Sequence, residues 1–116
     1  MPYVPIRLVN KSLSAEKMAL VDSGSVINVL PYQLGIDLGF MWDNKKANIQ
    51  LGGNLAQYPA IGIVLVAIVG NLDPTPLAFA WASGNAPLLL GQVNFFQEFL
   101  ICFYRDQEYF EISTKS

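Results

Sequence analysis

Turn-forming residues cut this chain into short apolar pieces, and that punctuation constrains the fold more than any other feature. The clearest piece is PLAFAWAS (Pro76–Ser83), where Leu77, Phe79 and Trp81 alternate with Ala78, Ala80 and Ala82. A period of two places one set on each side of a strand, and the small alanine side lets another layer approach closely. YVPIRLV (Tyr3–Val9) and EKMALVD (Glu16–Asp22) are strands separated by the polar turn NKSLS, with Pro5 holding the first to an edge position. The most apolar run, AIGIVLVAIVG (Ala60–Gly70), is rich in β-branched residues and too short to cross a bilayer. It reads as a strand buried on both faces.

The remaining pieces fit the same pattern. INVL (Ile27–Leu30) and LLL (Leu88–Leu90) are short strands. Pro31 opens PYQLGIDLGF, a short helix whose length Gly35 and Gly39 limit. ANIQLGGNLAQYPA (Ala47–Ala60) has the shape of a hairpin turning at Gly52-Gly53-Asn54, and GNLDPTP (Gly70–Pro76) is a further turn. From Gly91 the period changes: Val93, Phe96 and Leu100, with Phe95 and Phe99, fall at helical spacing, which predicts a short helix over Gln92–Phe99. LICFYRDQEYFEI then forms a hairpin turning near Arg105–Gln107. No repeat or linker interrupts the chain, so one domain over 1–116 is expected. The sum is an all-β architecture of about eight short strands, a closed or folded-over barrel-like sheet with one short C-terminal helix.

At 53% hydrophobic and 14% charged, the chain needs either a large core or a surface hidden in an oligomer. Net charge is −2 with no basic stripe, which argues against nucleic acid as a partner. MPYVPIRLVN lacks the basic and apolar regions of a signal peptide, so a soluble cytoplasmic protein with no membrane partner is expected. There are no histidines, which removes Ser–His and Cys–His couples and the commonest metal ligand. The single cysteine, Cys102, sits in the apolar run FLICFY and reads as a small buried hydrophobe. No metal or other cofactor is implied.

One residue does not fit a purely structural reading. MALVDSGSVINVLP (Met18–Pro31) sets a lone carboxylate, Asp22, between two strand-like apolar runs. An ionisable group there must be exposed in a cleft, paired or functional. Taken alone, Asp22 can also be a turn residue at a strand end, and Gly52-Gly53 an ordinary hairpin turn.

The pattern as a whole resembles the single-domain, retroviral-type (retropepsin-like) aspartic proteases. ALVDSGSVINVLP is similar to that family's first hallmark, an apolar strand followed by Asp-Ser/Thr-Gly and a further apolar run. PLLLGQVNFF is similar to the second, aliphatic residues and a glycine leading into the C-terminal helix. The two stand in family order, with the glycine-containing hairpin between them. The resemblance implies an acid-protease half-domain that dimerises, so that Asp22 meets its twin at a two-fold axis.

Such a pair supplies both general base and general acid for peptide hydrolysis through water, because two like charges that close cannot both ionise. Asp37, Asp43, Asp73 and Asp106 are not followed by Ser-Gly or Thr-Gly, so one chain carries one motif. By the resemblance, Asp22 is catalytic, Ser23 braces the pair across the dimer, and Gly24 offers its N–H to the carboxylate. Gly52, Gly53 and Asn54 belong to a flap that closes over an extended peptide, which is the expected substrate; Gln57 and Tyr58 are equally open to a structural role.

Four features depart from the family pattern: Ser25 stands where the retroviral branch usually has Ala, Gln92 where many members have Arg, GQVNFF carries one residue more than the usual Gly-x-Asp/Asn spacing, and the flap is short. The short flap and Gln92 motivate an alternative within the same fold, a weak or inactive dimer serving as a peptide-binding or assembly module. A serine nucleophile at Ser23 or Ser25 is the poorest reading, since there is no histidine and no G-x-S-x-G elbow.

Overall fold

The computed structural model describes residues 2–22, 24–25, 27–52 and 55–91, together with the backbone of 99–104 and 109–114. It is mostly β. Strands β1 (Tyr3–Asn10) and β2 (Leu13–Val21) form a hairpin around Lys11-Ser12. Short β3 (Val29–Leu30) precedes helix α1 (Tyr32–Asp37), a 3-10 turn (Asn44–Lys46) and β4 (Ile49–Gln50). Long β5 (Pro59–Ile68) and β6 (Thr75–Ala82) pair along nearly their whole length, and β7 (Leu89–Leu90) follows. A separate antiparallel pair joins β8 (Phe99–Tyr104) to β9 (Tyr109–Thr114).

The main sheet runs β1-β2-β7-β3-β6-β5-β4, and β1 also pairs with β5. Arg7, Leu8 and Val9 take Ile68, Ala67 and Val66 as partners, so six strands close into a barrel and β4 remains as a flange on β5. Closure leaves no free edge around most of the ring.

The period of two decides what lies inside. Val4, Ile6 and Leu8 of β1 alternate with exposed residues, and Leu77, Phe79 and Trp81 point inward from β6. These join Val21, Leu30, Leu65 and Leu90 in the principal core. Ala80 and Ala82, on the opposite side of β6, pack in a second cluster with Val29, Leu51, Ala60 and Leu89. Both faces of β6 are thus used, as the alternation of large and small residues predicts.

Helix α1 starts after Pro31 and ends in a Schellman arrangement. The Gly39 N–H donates to Ile36 O and the Phe40 N–H to Gly35 O, with Gly39 at φ 88°. Tyr32 of the helix and Trp42 beyond it join Trp81 of β6 in an aromatic cluster beside the core. Tyr32 stacks on Trp81 at 5.8 Å, Trp42 meets Trp81 edge-on at 5.0 Å, and the indole N–H donates to Tyr32 O at 3.0 Å.

Several expectations are corrected. The run Ala60–Gly70 is not buried on both faces: Gly62 is exposed and Val64 is 63% exposed. Ile61, Leu65 and Ala67 turn into the principal core, and Gly62 and Val64 lie on the opposite, outward face of β5. The hairpin's paired strands end at Gln50 and resume at Pro59, and Gly53 and Asn54 of the expected turn lie outside the described residues. INVL contributes only Val29 and Leu30 to a strand. Phe99 is the first residue of β8 rather than the last of a helix. The rest of that expected helix, residues 92–98, lies outside the described residues, as do the final hairpin's turn and the side chain of Cys102. Among the described residues no helix is long and apolar enough to cross a membrane.

Gly35 tests the aromatic packing. A β-carbon there would overlap the indole of Trp81, a rigid group held by its own hydrogen bond. Gly35→Ala is expected to destabilise the fold by about 1–3 kcal/mol, read as a lowered urea midpoint followed by tryptophan fluorescence. An unchanged midpoint would contradict this packing.

Candidate functional site

The site is built by a crossing. β7 comes from late in the sequence yet lies between β2 and β3, parallel to β2 and antiparallel to β3. The connection from Asp22 to Asn28 must therefore pass over the end of β7 to reach β3. This brings the two motif-bearing segments, Met18–Pro31 and Pro87–Gly91, into one place.

Backbone hydrogen bonds fix both sides of the crossing. The Leu20 N–H donates to Leu88 O at 2.9 Å and the Asp22 N–H to Leu90 O at 3.0 Å. The Ser25 N–H donates to Asp22 O at 3.1 Å, which closes a turn just after the carboxylate. The Ser25 hydroxyl donates to Ile27 O at 3.0 Å. Asp22 itself is half-buried, and the Gly24 N–H donates to its Oδ1 at 2.9 Å. A β-carbon on Gly24 would lie 3.3 Å from that same oxygen. The carboxylate is held with one oxygen engaged by a backbone donor.

Beneath the loop, Gly91 is required by space. A β-carbon there would stand 2.6 Å from Ile27 O and 2.9 Å from Ser25 O, both backbone atoms that cannot swing aside. The glycine of the second motif thus permits the close passage of the loop that bears Asp22.

Sequence reasoning missed Asn28. It is the one polar residue in the buried set among the described residues, at 1% exposure. Its Oδ1 accepts from the Gly91 N–H at 2.8 Å and its Nδ2 donates to Ala78 O at 2.9 Å. Its backbone carbonyl accepts from the Ala80 N–H at 2.9 Å. The signal was present in the sequence: an amide inside the apolar run VINVL must find partners when buried.

Beside Asn28 opens an apolar groove of about 420 Å³. Gly62, Ala78 and Ala80 form part of its lining, with Ile27, Ile49 and Val64 also around it. A larger hollow of about 670 Å³ lies against β1, β2 and β5 beside the exposed Arg7–Glu16 ion pair. That hollow includes none of the crossing residues, and an exposed pair of this kind contributes little.

The remaining site residues fall as follows. Ser23, Gly53 and Asn54 lie outside the described residues. Gly52 is exposed, and its carbonyl accepts from the Leu55 N–H at 3.2 Å in a local turn. Among the described residues no hydrogen bond joins Gly52 to the Asp22 loop. Gln50 holds the far side of that connection through Nε2 to Ala56 O at 2.8 Å, and Leu51 is buried in the second cluster. Gln57 is exposed, and the Tyr58 ring lies against Gly84, a structural placement.

Asp37, Asp43 and Asp73 are all exposed; Asp37 accepts from Gln33 Nε2 and Asp43 caps the 3-10 turn through the Lys45 N–H. None of the three takes part in the crossing. No protein-family model and no curated protein sequence matches this chain.

The crossing makes a direct prediction. Gly91→Ala is expected to cost about 1–3 kcal/mol of stability, since backbone must shift to admit the methyl group. A lowered urea midpoint with altered Gly24 and Ser25 amide resonances is the expected result. A variant with wild-type stability and unchanged resonances would refute the close passage.

Proposed function

We propose that this chain is a retropepsin-like aspartic endopeptidase that works as a homodimer. The observation that carries the reading is the crossing of the Asp-Ser-Gly loop over Gly91, which joins the two hallmark-like segments around one half-buried carboxylate. One described carboxylate occupies that loop, and two-carboxylate chemistry then requires a second chain. An isologous dimer supplies it as the twin Asp22.

In this reading the pair of Asp22 carboxylates shares one proton. The ionised member removes a proton from water, which attacks the peptide carbonyl, while the protonated member donates to the departing amide nitrogen. The Gly24 N–H holds one carboxylate oxygen so that the other faces the reaction. Ser23 braces the pair across the dimer. The groove flanked by Ile27 and Ile49 takes an apolar side chain of an extended peptide, with its small floor setting the size admitted.

A second reading is favoured by one observation. Among the described residues of the β4–β5 connection, Gly52 O accepts from the Leu55 N–H, Gln50 Nε2 donates to Ala56 O, and Leu51 is buried in the second cluster. The flap segment of Gly52, Gly53 and Asn54 is then a weak clamp, and the same dimer serves as a peptide-binding or assembly module with little turnover.

Peptide-library cleavage read by mass spectrometry at acidic and neutral pH separates the two. Asp22→Asn is expected to lower cleavage by at least about 100-fold while leaving a folded dimer, since it removes the group that transfers the proton. Cleavage by Asp22→Asn at the wild-type rate would sink the protease reading. A dimer by sedimentation that binds peptides but cleaves none would favour the module, and a monomer at high concentration would sink both.

A further inference from the structure

We infer that Asn28 is a positioning residue for the Asp22 loop: its side-chain amide holds the loop at a fixed depth over β7 and so sets where the carboxylate stands. The argument starts from cost. An amide at 1% exposure is retained in an apolar run only where it satisfies groups that would otherwise be buried without partners. Here those groups belong to two different strands. The Gly91 N–H follows directly on β7, and Ala78 O belongs to β6. One side chain therefore ties the far end of the crossing to the strand beneath it and to the strand beyond.

The near end of the crossing is tied to the same strand. The Asp22 N–H donates to Leu90 O, and the next residue, Gly91, donates to Asn28 Oδ1. Consecutive residues of one segment thus grip the first and last residues of the loop. Backbone bonding alone secures the first grip, whatever the side chains. The second depends wholly on the reach of a side-chain acceptor. Apolar side chains natural to such a run would fill the space but leave the Gly91 N–H without this partner. The loop would then be held to this segment at Asp22 and would lose its tie to Gly91 at Asn28, where the bond from the Ala80 N–H to the Asn28 carbonyl remains.

For its kinetic part this inference rests on the proposed role of Asp22 in hydrolysis; its structural part does not. A carboxylate displaced by about 1 Å can lose on the order of 100-fold in rate without losing substrate affinity.

The test uses the full chain and two variants, Asn28→Ser and Asn28→Ala, with amide hydrogen exchange by NMR and peptide cleavage side by side. In the wild type, the Gly91 amide is expected to exchange as slowly as the β5–β6 amides; rapid exchange there overturns the inference without any variant. In a folded variant, Gly91, Ser25 and Gly24 should exchange at least about 10-fold faster while β5–β6 amides stay within about 3-fold. In the same variant kcat should fall at least about 10-fold with KM little changed. A uniform rise in exchange over the whole barrel, or a folded variant with unchanged loop exchange and kcat, overturns it. If the wild type cleaves nothing, the protease reading fails, and loop-specific exchange alone decides the role of Asn28.

Discussion

Everything in this structure turns on how closely two backbones approach where the Asp22–Asn28 connection passes over Gly91. β7 lies between β2 and β3, which are separated in sequence only by that loop. The loop must climb over β7 and descend again. Ile27 O and Ser25 O then lie within 2.9 Å of where a side chain on Gly91 would begin. Because no side chain intervenes, the loop rests on backbone, and its height is set by hydrogen bonds rather than by compressible apolar contacts. A carboxylate at the start of such a loop has a defined place, which chemistry requires and packing alone does not provide.

The barrel is arranged to support that crossing. Trp81 closes the inward side of β6 under α1, while Ala80 and Ala82 on its outward side meet the second cluster. β6 is thereby fixed from both sides. It is also the strand that accepts the Asn28 amide through Ala78 O and donates to the Asn28 carbonyl through Ala80 N–H. A strand free to shift would transmit its motion to the loop. The aromatic cluster of Tyr32, Trp42 and Trp81 thus has a consequence beyond its own packing energy.

What the sequence made legible follows from what leaves a periodic trace. The alternation in PLAFAWAS predicts both faces of β6, and the pairing of β1 with β2 follows from the polar turn between two apolar runs. The Asp-Ser-Gly and Leu-Leu-Gly segments pointed to one site because each has a residue type its position demands. Three things left no such trace. Phe40 and Trp42 lie in an irregular stretch, so their packing on Trp81 could not be read from spacing. Gly52-Gly53 satisfies the local rule for a tight turn, yet β4 ends at Gln50 and Leu51 is buried in the second cluster. Val64 lies on the outward side of β5, opposite Leu65, and in a run apolar on both sides the period does not say which side faces the core.

A chain only 14% charged asks for hidden surface, and a hidden dimer face is one answer. Part of the demand is met within the chain, because outward residues of β3, β6 and β7 such as Val29, Ala80 and Leu89 are covered by the second cluster. Part is not met: Tyr3 is 59% exposed and Met18 58% exposed, and they project from the β1–β2 hairpin beside Pro5, the cross-strand partner of Met18. Low charge therefore does not by itself require a partner chain. The stronger argument for two chains is chemical. The loop bears one half-buried carboxylate and no second acid among the described residues of the crossing, so the proposed two-carboxylate hydrolysis calls for a second chain to supply the other.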